Sequence, residues 1–327
     1  MRKTPFVILS TLAALFLLFL TPPSSQVFAQ LDAPIAADGE SRFFYHETPL
    51  TRNGLELHLS RVTKEFVEPT RDILLIHGLT YSSHVFNVDY EDYSLVRRLA
   101  NFGYRVWRLD VAGYGRSERP DDGFLPNTEY AVEDIHAAVE AICKFERVDQ
   151  IDLLGWSWGT ITTSAFANRY PERVRRLVLY APIFKGIGEA QVDDAYHANS
   201  WEHASEDFQR DENGEIDLSI VDPAVVATFC SNCWRYDKDS SPNGGRREAC
   251  VPETTSLINL EGIKCPTFFV CGDKDPYIDL ELFFAAPGKT PLGSDLVVLP
   301  GGGHAVMLEK SLYHDFQDAI LTFLDKE

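Results

Sequence analysis

Residues 151–163 read Ile-Asp-Leu-Leu-Gly-Trp-Ser-Trp-Gly-Thr-Ile-Thr-Thr, and they predict the turn around which the chain is organised. The apolar run 151–154 is typical of a buried strand, and a segment able to form a helix begins after Gly159. The Gly-Trp-Ser-Trp-Gly between them has the pattern of a nucleophile elbow, a tight turn that holds the hydroxyl of Ser157 clear of the sheet. The alternative is a glycine-rich connection with an ordinary serine, so the surrounding chain must decide.

The chain on both sides of this turn alternates strand-like and helix-like segments. Further apolar runs typical of strands occupy 42–48, 55–63, 72–77, 104–110, 174–181, 266–272 and 295–299. Helical patterns occupy about 94–102, about 128–145 (with Thr128 as the cap) and about 305–324, while 30–41 is expected to form a loose leader. This alternation predicts a mostly parallel sheet with helices on both faces.

Between residues 183 and 262 the alternation stops, and the chain becomes polar, acidic and aromatic. About 80 residues are too many for a simple connection between elements of one domain. We therefore predict a cap at 183–262, inserted over the carboxyl edge of the sheet. The flanking segments 30–182 and 263–327 form the two parts of the core.

The amino terminus has the features of a cleaved secretory signal. Arg2 and Lys3 precede an apolar run at 6–20, and a stretch that ends at Ala29 has the small residues of a cleavage site. The run is too short to span a bilayer comfortably. We predict a signal peptide at 1–29, no stable membrane insertion after its removal, and a secreted or periplasmic location.

The composition narrows the class of partner. A formal net charge of −19 argues against nucleic acid or an anionic membrane surface as the ligand. A hydrophobic content of 45% with 24% charged residues is ordinary for a globular protein. We expect a small-molecule substrate and no cofactor, and the oligomeric state stays open.

The predicted export makes a disulfide possible among the six cysteines. Cys230, Cys233 and Cys250 share one polar segment, where a disulfide is expected, although its pairing is open. Cys230 and Cys233 also have the spacing of zinc ligands, but no second such pair exists, and we predict no metal site. The other three, Cys143, Cys265 and Cys271, are expected to be small core residues.

Two loops could supply the partners of Ser157. A serine hydroxyl needs a base to take its proton, and a histidine base needs a carboxylate that fixes its tautomer. Asp275 follows the strand at 266–272 and His304 follows the strand at 295–299, and the order serine, aspartate, histidine is that of an elbow-type hydrolase. Asp273 is expected in the turn itself, and Asp279 is a distant third candidate. The other histidines considered belong to a turn, a strand, a helix or the cap: His77, His58, His136, His197 and His203.

An oxyanion hole needs two backbone donors. The N–H of Trp158, directly after the nucleophile, is the first candidate. The second is the N–H of Leu79 in the loop after the strand at 72–77, with Thr80 as the fallback.

Together these segments resemble the α/β-hydrolase superfamily. The resemblance lies in His77-Gly78-Leu79, Asp110 with the turn at 113–117, the elbow at 155–159, and the loops at 272–275 and 303–304. It covers roughly 43–182 and 263–324, and it implies a mostly parallel doubly wound sheet with an inserted cap. A serine nucleophile disfavours the haloalkane dehalogenase and epoxide hydrolase branches, in which an aspartate is expected.

The resemblance implies hydrolysis of a carboxylic ester through an acyl-enzyme. Trp156, Tyr81, Trp201 and Trp234 are expected to line an apolar or aromatic pocket, although aromatic residues are often simply core. A prolyl-aminopeptidase-like or amide hydrolase is an alternative, in which cap acids would hold an amine: Glu189, Asp193 and Asp194. Carbon–carbon bond hydrolases and cofactor-free perhydrolases share the triad, and a non-catalytic binding protein on the same fold is the rival of another class.

Overall fold

The computed structural model describes residues 33–37, 41–238 and 240–326. The predicted signal peptide and its cleavage site after Ala29 lie outside these residues and stay predictions. Within the described residues no helix has the length and apolar content needed to cross a membrane.

A nine-stranded sheet forms the centre of the described chain. The strands in chain order are β1 (Ala33–Ala37), β2 (Ser41–Arg52), β3 (Leu55–Lys64), β4 (Arg71–Ile76), β5 (Tyr104–Asp110), β6 (Ile151–Trp156), β7 (Val174–Tyr180), β8 (Tyr196–Ala198), β9 (Ser240–Pro242), β10 (Thr267–Gly272) and β11 (Asp295–Leu299). The order across the large sheet is β1-β2-β3-β5-β4-β6-β7-β10-β11, whereas β8 and β9 form a separate pair. In the large sheet, each neighbouring pair in the series β5-β4-β6-β7-β10-β11 is parallel, so the predicted mostly parallel sheet is confirmed.

Helices cover both faces of the sheet. They are α1 (Leu95–Asn101), α2 (Thr128–Glu146), α3 (Trp158–Arg169), α4 (Trp201–Ala204), α5 (Pro223–Asp237), α6 (Gly244–Ala249), α7 (Leu280–Ala285) and α8 (Tyr313–Leu324). Ile73 and Leu75 of β4 join the apolar cluster that contains α1 and α8, while Leu74 and Ile76 join the one that contains α2 and α3. A central strand buried on both faces explains why its sequence is continuously apolar.

Three local predictions differ from the structure. The expected loose leader contains β1, which pairs antiparallel with β2. The last helix begins at Tyr313 and not near residue 305, and a separate short helical turn at Val306–Leu308 precedes it. The cap of α2 is Asn127, whose side chain accepts the N–H of Tyr130, and Thr128 is already the first helical residue.

The segment 183–262 contains α4, α5, α6, β8 and β9. Its residues Ile183 and Arg246 line the same cavity as Ser157, which lies at the carboxyl end of β6. The segment therefore lies over this edge of the sheet, where the cap was expected. Its residue boundaries stay a prediction.

Asp237, at the end of α5, anchors this segment to the core. One carboxylate oxygen accepts the N–H and the hydroxyl of Ser82, at 3.0 and 3.1 Å, and the other accepts the N–H of Gly115 at 2.8 Å. Burial raises the pKa of Asp237 to about 7, although these donors oppose the shift. One cap carboxyl thus holds the loop after β4 and the loop after β5 together.

The turn between β6 and α3 leaves no room for side chains on the neighbouring glycines. Ser157 itself has a φ of 56° and a ψ of −121°, a backbone conformation that costs a non-glycine residue free energy. A Cβ atom on Gly155 would lie 2.2 Å from the carbonyl oxygen of Gly159, and one on Gly159 would lie 2.4 Å from that of Ile76. Close approach of the backbones is therefore what both glycines provide.

We predict that Gly155→Ala lowers the free energy of unfolding by about 2 kcal/mol or more, because the added methyl group must displace backbone atoms. The matched control is Gly288→Ala, since a Cβ atom there meets nothing within 4 Å. Urea denaturation of both variants measures the difference. Equal stability of the two variants would contradict the packing argument.

Candidate active site

Ser157 lies at the amino end of α3, directly after β6. Its N–H donates to the carbonyl oxygen of Tyr180 at 3.0 Å, which ties the turn to β7. The first N–H groups of a helix have no partner within the helix, and the helix dipole places partial positive charge there. Trp158 is the first residue of α3, so its N–H lies where an anion beside Ser157 would be stabilised.

His304 and Asp275 form a buried hydrogen-bonded pair. His304 Nδ1 lies 2.7 Å from Asp275 Oδ2. The loops that carry them are joined, because Asp273 Oδ1 accepts the N–H of Gly301 at 2.7 Å. Asp273 therefore belongs to the turn, and Asp275 is the carboxylate that faces the histidine.

Three hydrogen bonds from side chains hold the backbone of the loop that carries His304. The indole N–H of Trp156 and the hydroxyl of Tyr180 both donate to the carbonyl oxygen of His304, at 3.2 and 3.0 Å. Glu309 Oε1 accepts the N–H of Gly303 at 2.9 Å. These three contacts fix the position from which the imidazole reaches the cavity.

Ser157 and His304 line one cavity of about 130 Å³. Leu79, Trp158 and Tyr81, which were also predicted for the site, line the same cavity. Asp275 lies behind His304 and holds its Nδ1. The remaining lining residues come from the loop after β4, α3, the cap and the loop after Asp275: Thr80, Ile161, Ile183, Ile187, His203, Glu206, Asp207, Arg246, Ala249 and Tyr277.

Three of the aromatic residues expected in the pocket do not line it. Trp156 is buried below His304, where it stacks on Tyr180 with ring centroids 5.7 Å apart. Trp201 on α4 and Trp234 on α5 are about half exposed, on the cap. The positions of these residues in the sequence do not show which way their side chains point, and the prediction that all three line the pocket is wrong.

Sequence reasoning missed the charged residues of the cap. His203 was assigned to the cap and given no part in the site, but its Nε2 lies 3.3 Å from the hydroxyl of Thr80 in the cavity wall. Arg246 donates to the same hydroxyl at 2.7 Å, and Asp207 also lines the cavity. The irregular cap sequence carried no signal for these positions.

The expected disulfide is wrong. All six cysteines are free, and Cys230 and Cys233 are buried on α5 in an apolar cluster that includes Phe229. Burial raises the pKa of Cys230 to about 12, so its thiol stays neutral and packs as a small apolar group. Among the described residues no group of three or more His, Cys, Asp or Glu side chains could hold a metal ion.

His77 is a second buried histidine near the turn, but it serves the backbone. Its Nε2 accepts the N–H of Val111 at 3.1 Å, which leaves Nδ1 to donate to the carbonyl oxygen of Gly78 at 2.8 Å. Burial lowers the pKa of His77, so the ring is neutral and both nitrogens are occupied. It holds the loop that leads to Leu79.

Comparison with known proteins identifies the family. The profile of the alpha/beta hydrolase family matches residues 73–313. The chain belongs to the alpha/beta hydrolase family.

Relatives of this alpha/beta hydrolase carry different activities in their names. The chain is 30% identical over 259 residues to a provisionally named non-heme chloroperoxidase of Synechocystis sp., covering 72% of this chain and 84% of the relative. It is 29% identical over 266 residues to the serine hydrolase BPHL of Mus musculus, covering 80% of each. The bromoperoxidase structure from Bacillus anthracis has a TM-score of 0.60 and 20% identity over 86% of this chain and 100% of its own, a likeness of fold.

The electrostatics of the cavity act on His304. Burial by itself lowers the pKa of His304, but the carboxylate of Asp275 outweighs it, and Asp207 adds to the same effect. The pKa of His304 is therefore raised above its ordinary value of 6.5.

We predict that kcat/KM of this hydrolase for p-nitrophenyl acetate rises with pH, with a midpoint above 6.5, because a protonated imidazole cannot accept a proton. Asp207→Asn should move the midpoint to lower pH, because one of the charges that favour the imidazolium is removed. Glu212→Gln, an equal charge change at an exposed cap position, is the control. A midpoint at or below 6.5 in the wild type, or equal midpoints in the two variants, would contradict this.

Proposed function

We propose that this alpha/beta hydrolase is an exported serine hydrolase that cleaves a carboxylic ester of a small molecule through an acyl-enzyme. The observation that carries the proposal is the 2.7 Å hydrogen bond between His304 Nδ1 and Asp275 Oδ2, with His304 and Ser157 in the wall of one cavity. A neutral imidazole that donates from Nδ1 has its Nε2 free to accept a proton.

Ser157 Oγ attacks the carbonyl carbon of the ester while His304 Nε2 takes the hydroxyl proton. Asp275 keeps Nδ1 protonated and stabilises the imidazolium that forms. The N–H groups of Trp158 and Leu79 bind the oxyanion of the tetrahedral intermediate. Collapse of the intermediate passes the proton from His304 to the departing alcohol, and the acyl group stays on Ser157.

Water then completes the cycle. His304 Nε2 accepts a proton from the water molecule as its oxygen attacks the acyl carbon, and a second oxyanion forms at the same N–H groups. When this intermediate collapses, the proton returns to Ser157 Oγ and the carboxylic acid leaves.

The cavity supports a compact and partly apolar substrate. Its apolar wall comprises Leu79, Ile161, Ile183 and Ile187. A volume of about 130 Å³ is below the roughly 300–1,000 Å³ of pockets that enclose drug-sized ligands, which favours a small acyl or alcohol group.

Export is supported by the basic, apolar and small-residue regions of the amino terminus, which are typical of a cleaved secretory signal. We propose that the mature enzyme acts in the periplasm or the medium. A mature protein recovered from outside the cytoplasm should begin at Gln30. Recovery with residues 1–29 intact would contradict a cleaved signal.

We predict that a fluorophosphonate labels Ser157, and that Ser157→Ala lowers kcat for p-nitrophenyl esters by at least about 10⁴-fold. The exposed Ser219→Ala is the matched control and should keep full activity. Labelling is read by mass spectrometry, and turnover by release of nitrophenol.

Two outcomes would overturn the proposal. A folded wild type that neither reacts with the fluorophosphonate nor hydrolyses esters is a binding protein on this fold. Faster turnover of aminoacyl anilides than of p-nitrophenyl esters identifies an amide hydrolase of the aminopeptidase type instead.

A further inference from the structure

The cap side of the cavity carries a cation without a carboxylate partner. Arg246, on α6, is half-buried, and its Nη2 donates to Thr80 Oγ1 at 2.7 Å while its Nε donates to Asn243 Oδ1 at 3.1 Å. Among residues 41–238 and 240–326, no acidic side chain forms an ion pair with this guanidinium. Charge-assisted hydrogen bonds from a guanidinium to a carboxylate are among the strongest in proteins, so a guanidinium in a cavity wall without such a partner is a candidate anion site.

The neighbouring groups fix the direction of the hydrogen bonds. Arginine can only donate, so the oxygen of Thr80 accepts from Arg246. Glu206 Oε2 lies 2.9 Å from His203 Nδ1 and can only accept, so in the neutral imidazole Nε2 accepts the proton of the Thr80 hydroxyl, 3.3 Å away. Glu206 bonds to His203 and not to Arg246, and the remaining N–H groups of Arg246 have no acceptor among the described residues.

The free N–H groups of Arg246 select a group that only accepts. A carboxylate has two oxygens and no proton to donate, and it pairs with the planar guanidinium through two parallel hydrogen bonds. We propose that Arg246 binds a carboxylate of the substrate. The substrate is then a short ester that carries a second, ionised carboxyl group, and this inference rests on the proposed ester hydrolysis.

Asp207 provides the competing interpretation, in which the cavity binds an ammonium group. It lines the same cavity and is half-buried. Burial raises the pKa of Asp207, and the nearby His304 and His203 oppose that rise. Glu206 lines the cavity as well, so the wall carries charges of both signs. Arg246 keeps its charge at every working pH and has only neutral hydrogen-bond partners, Thr80 and Asn243, so we take its guanidinium as the group that selects the charge of the substrate.

The test compares esters that differ in one charge. Each acid is paired with its neutral amide: p-nitrophenyl hydrogen glutarate with p-nitrophenyl glutaramate for the acyl side, and 4-acetoxybenzoate with 4-acetoxybenzamide for the alcohol side. At least one acid should have a kcat/KM about 10-fold or more above that of its amide, through a lower KM.

Arg246→Gln should reduce this acid-to-amide ratio by about 10- to 100-fold; because the ratio is measured within one variant, a general change in turnover cancels. Arg246→Lys, which keeps the charge but loses the planar fork, should retain part of the preference. Arg247→Gln is the matched control, because Arg247 is the exposed neighbour that lies over the ring of Phe124.

Binding to Ser157→Ala gives a readout that needs no turnover. Calorimetry should show p-nitrophenyl hydrogen glutarate or 4-acetoxybenzoate binding more tightly than its amide, with the difference lost when Arg246→Gln is added. Fluorophosphonate labelling of the wild type reports separately on the proposed function, so the two failures are distinguishable.

The inference is overturned if no acid is preferred in either assay, or if the preference survives Arg246→Gln. It is also overturned if p-nitrophenyl 4-aminobutanoate is the preferred ester and Asp207→Asn removes that preference, which would identify an ammonium site.

Discussion

The backbone conformation of Ser157 is the constraint on which the site depends. With a φ of 56°, the residue turns the chain from β6 into α3 within one step and brings its side chain to the carboxyl edge of the sheet. Gly155 and Gly159 make that turn possible because backbone carbonyls occupy the space of their missing side chains. The same turn leaves the first N–H of α3, that of Trp158, beside the hydroxyl. The proposed nucleophile and the proposed anion donor are thus products of one local geometry.

The other residues of the site fix the position of His304 and stabilise its charged form. A buried imidazole loses solvation when it becomes charged, and the hydrogen-bonded carboxylate of Asp275 compensates for that loss. Trp156 and Tyr180 fix the backbone carbonyl of the same residue, so the ring starts from a defined position. In a half-enclosed cavity the fixed charge of Arg246 also acts more strongly than it would in water.

Local patterns in the sequence were sufficient for the core and insufficient for the cap. Apolar runs predicted the parallel strands because burial on both faces leaves a continuous signal, and strand ends predicted Asp275 and His304 as neighbours. The directions of Trp201, Trp234 and Arg246 depend on long-range packing, which no periodicity encodes in an irregular segment. The cysteines were misjudged because export was taken to imply a disulfide, whereas those on α5 face an apolar cluster.

The most direct test of this account is a crystal structure of the enzyme after reaction with a fluorophosphonate. The account predicts a bond from phosphorus to Ser157 Oγ, with the phosphonyl oxygen about 2.7–3.1 Å from the nitrogen atoms of Trp158 and Leu79. His304 Nε2 should lie within hydrogen-bond distance of the adduct, with Asp275 still bound to Nδ1. Phosphorus on another residue, or a phosphonyl oxygen that points away from both N–H groups, would contradict it.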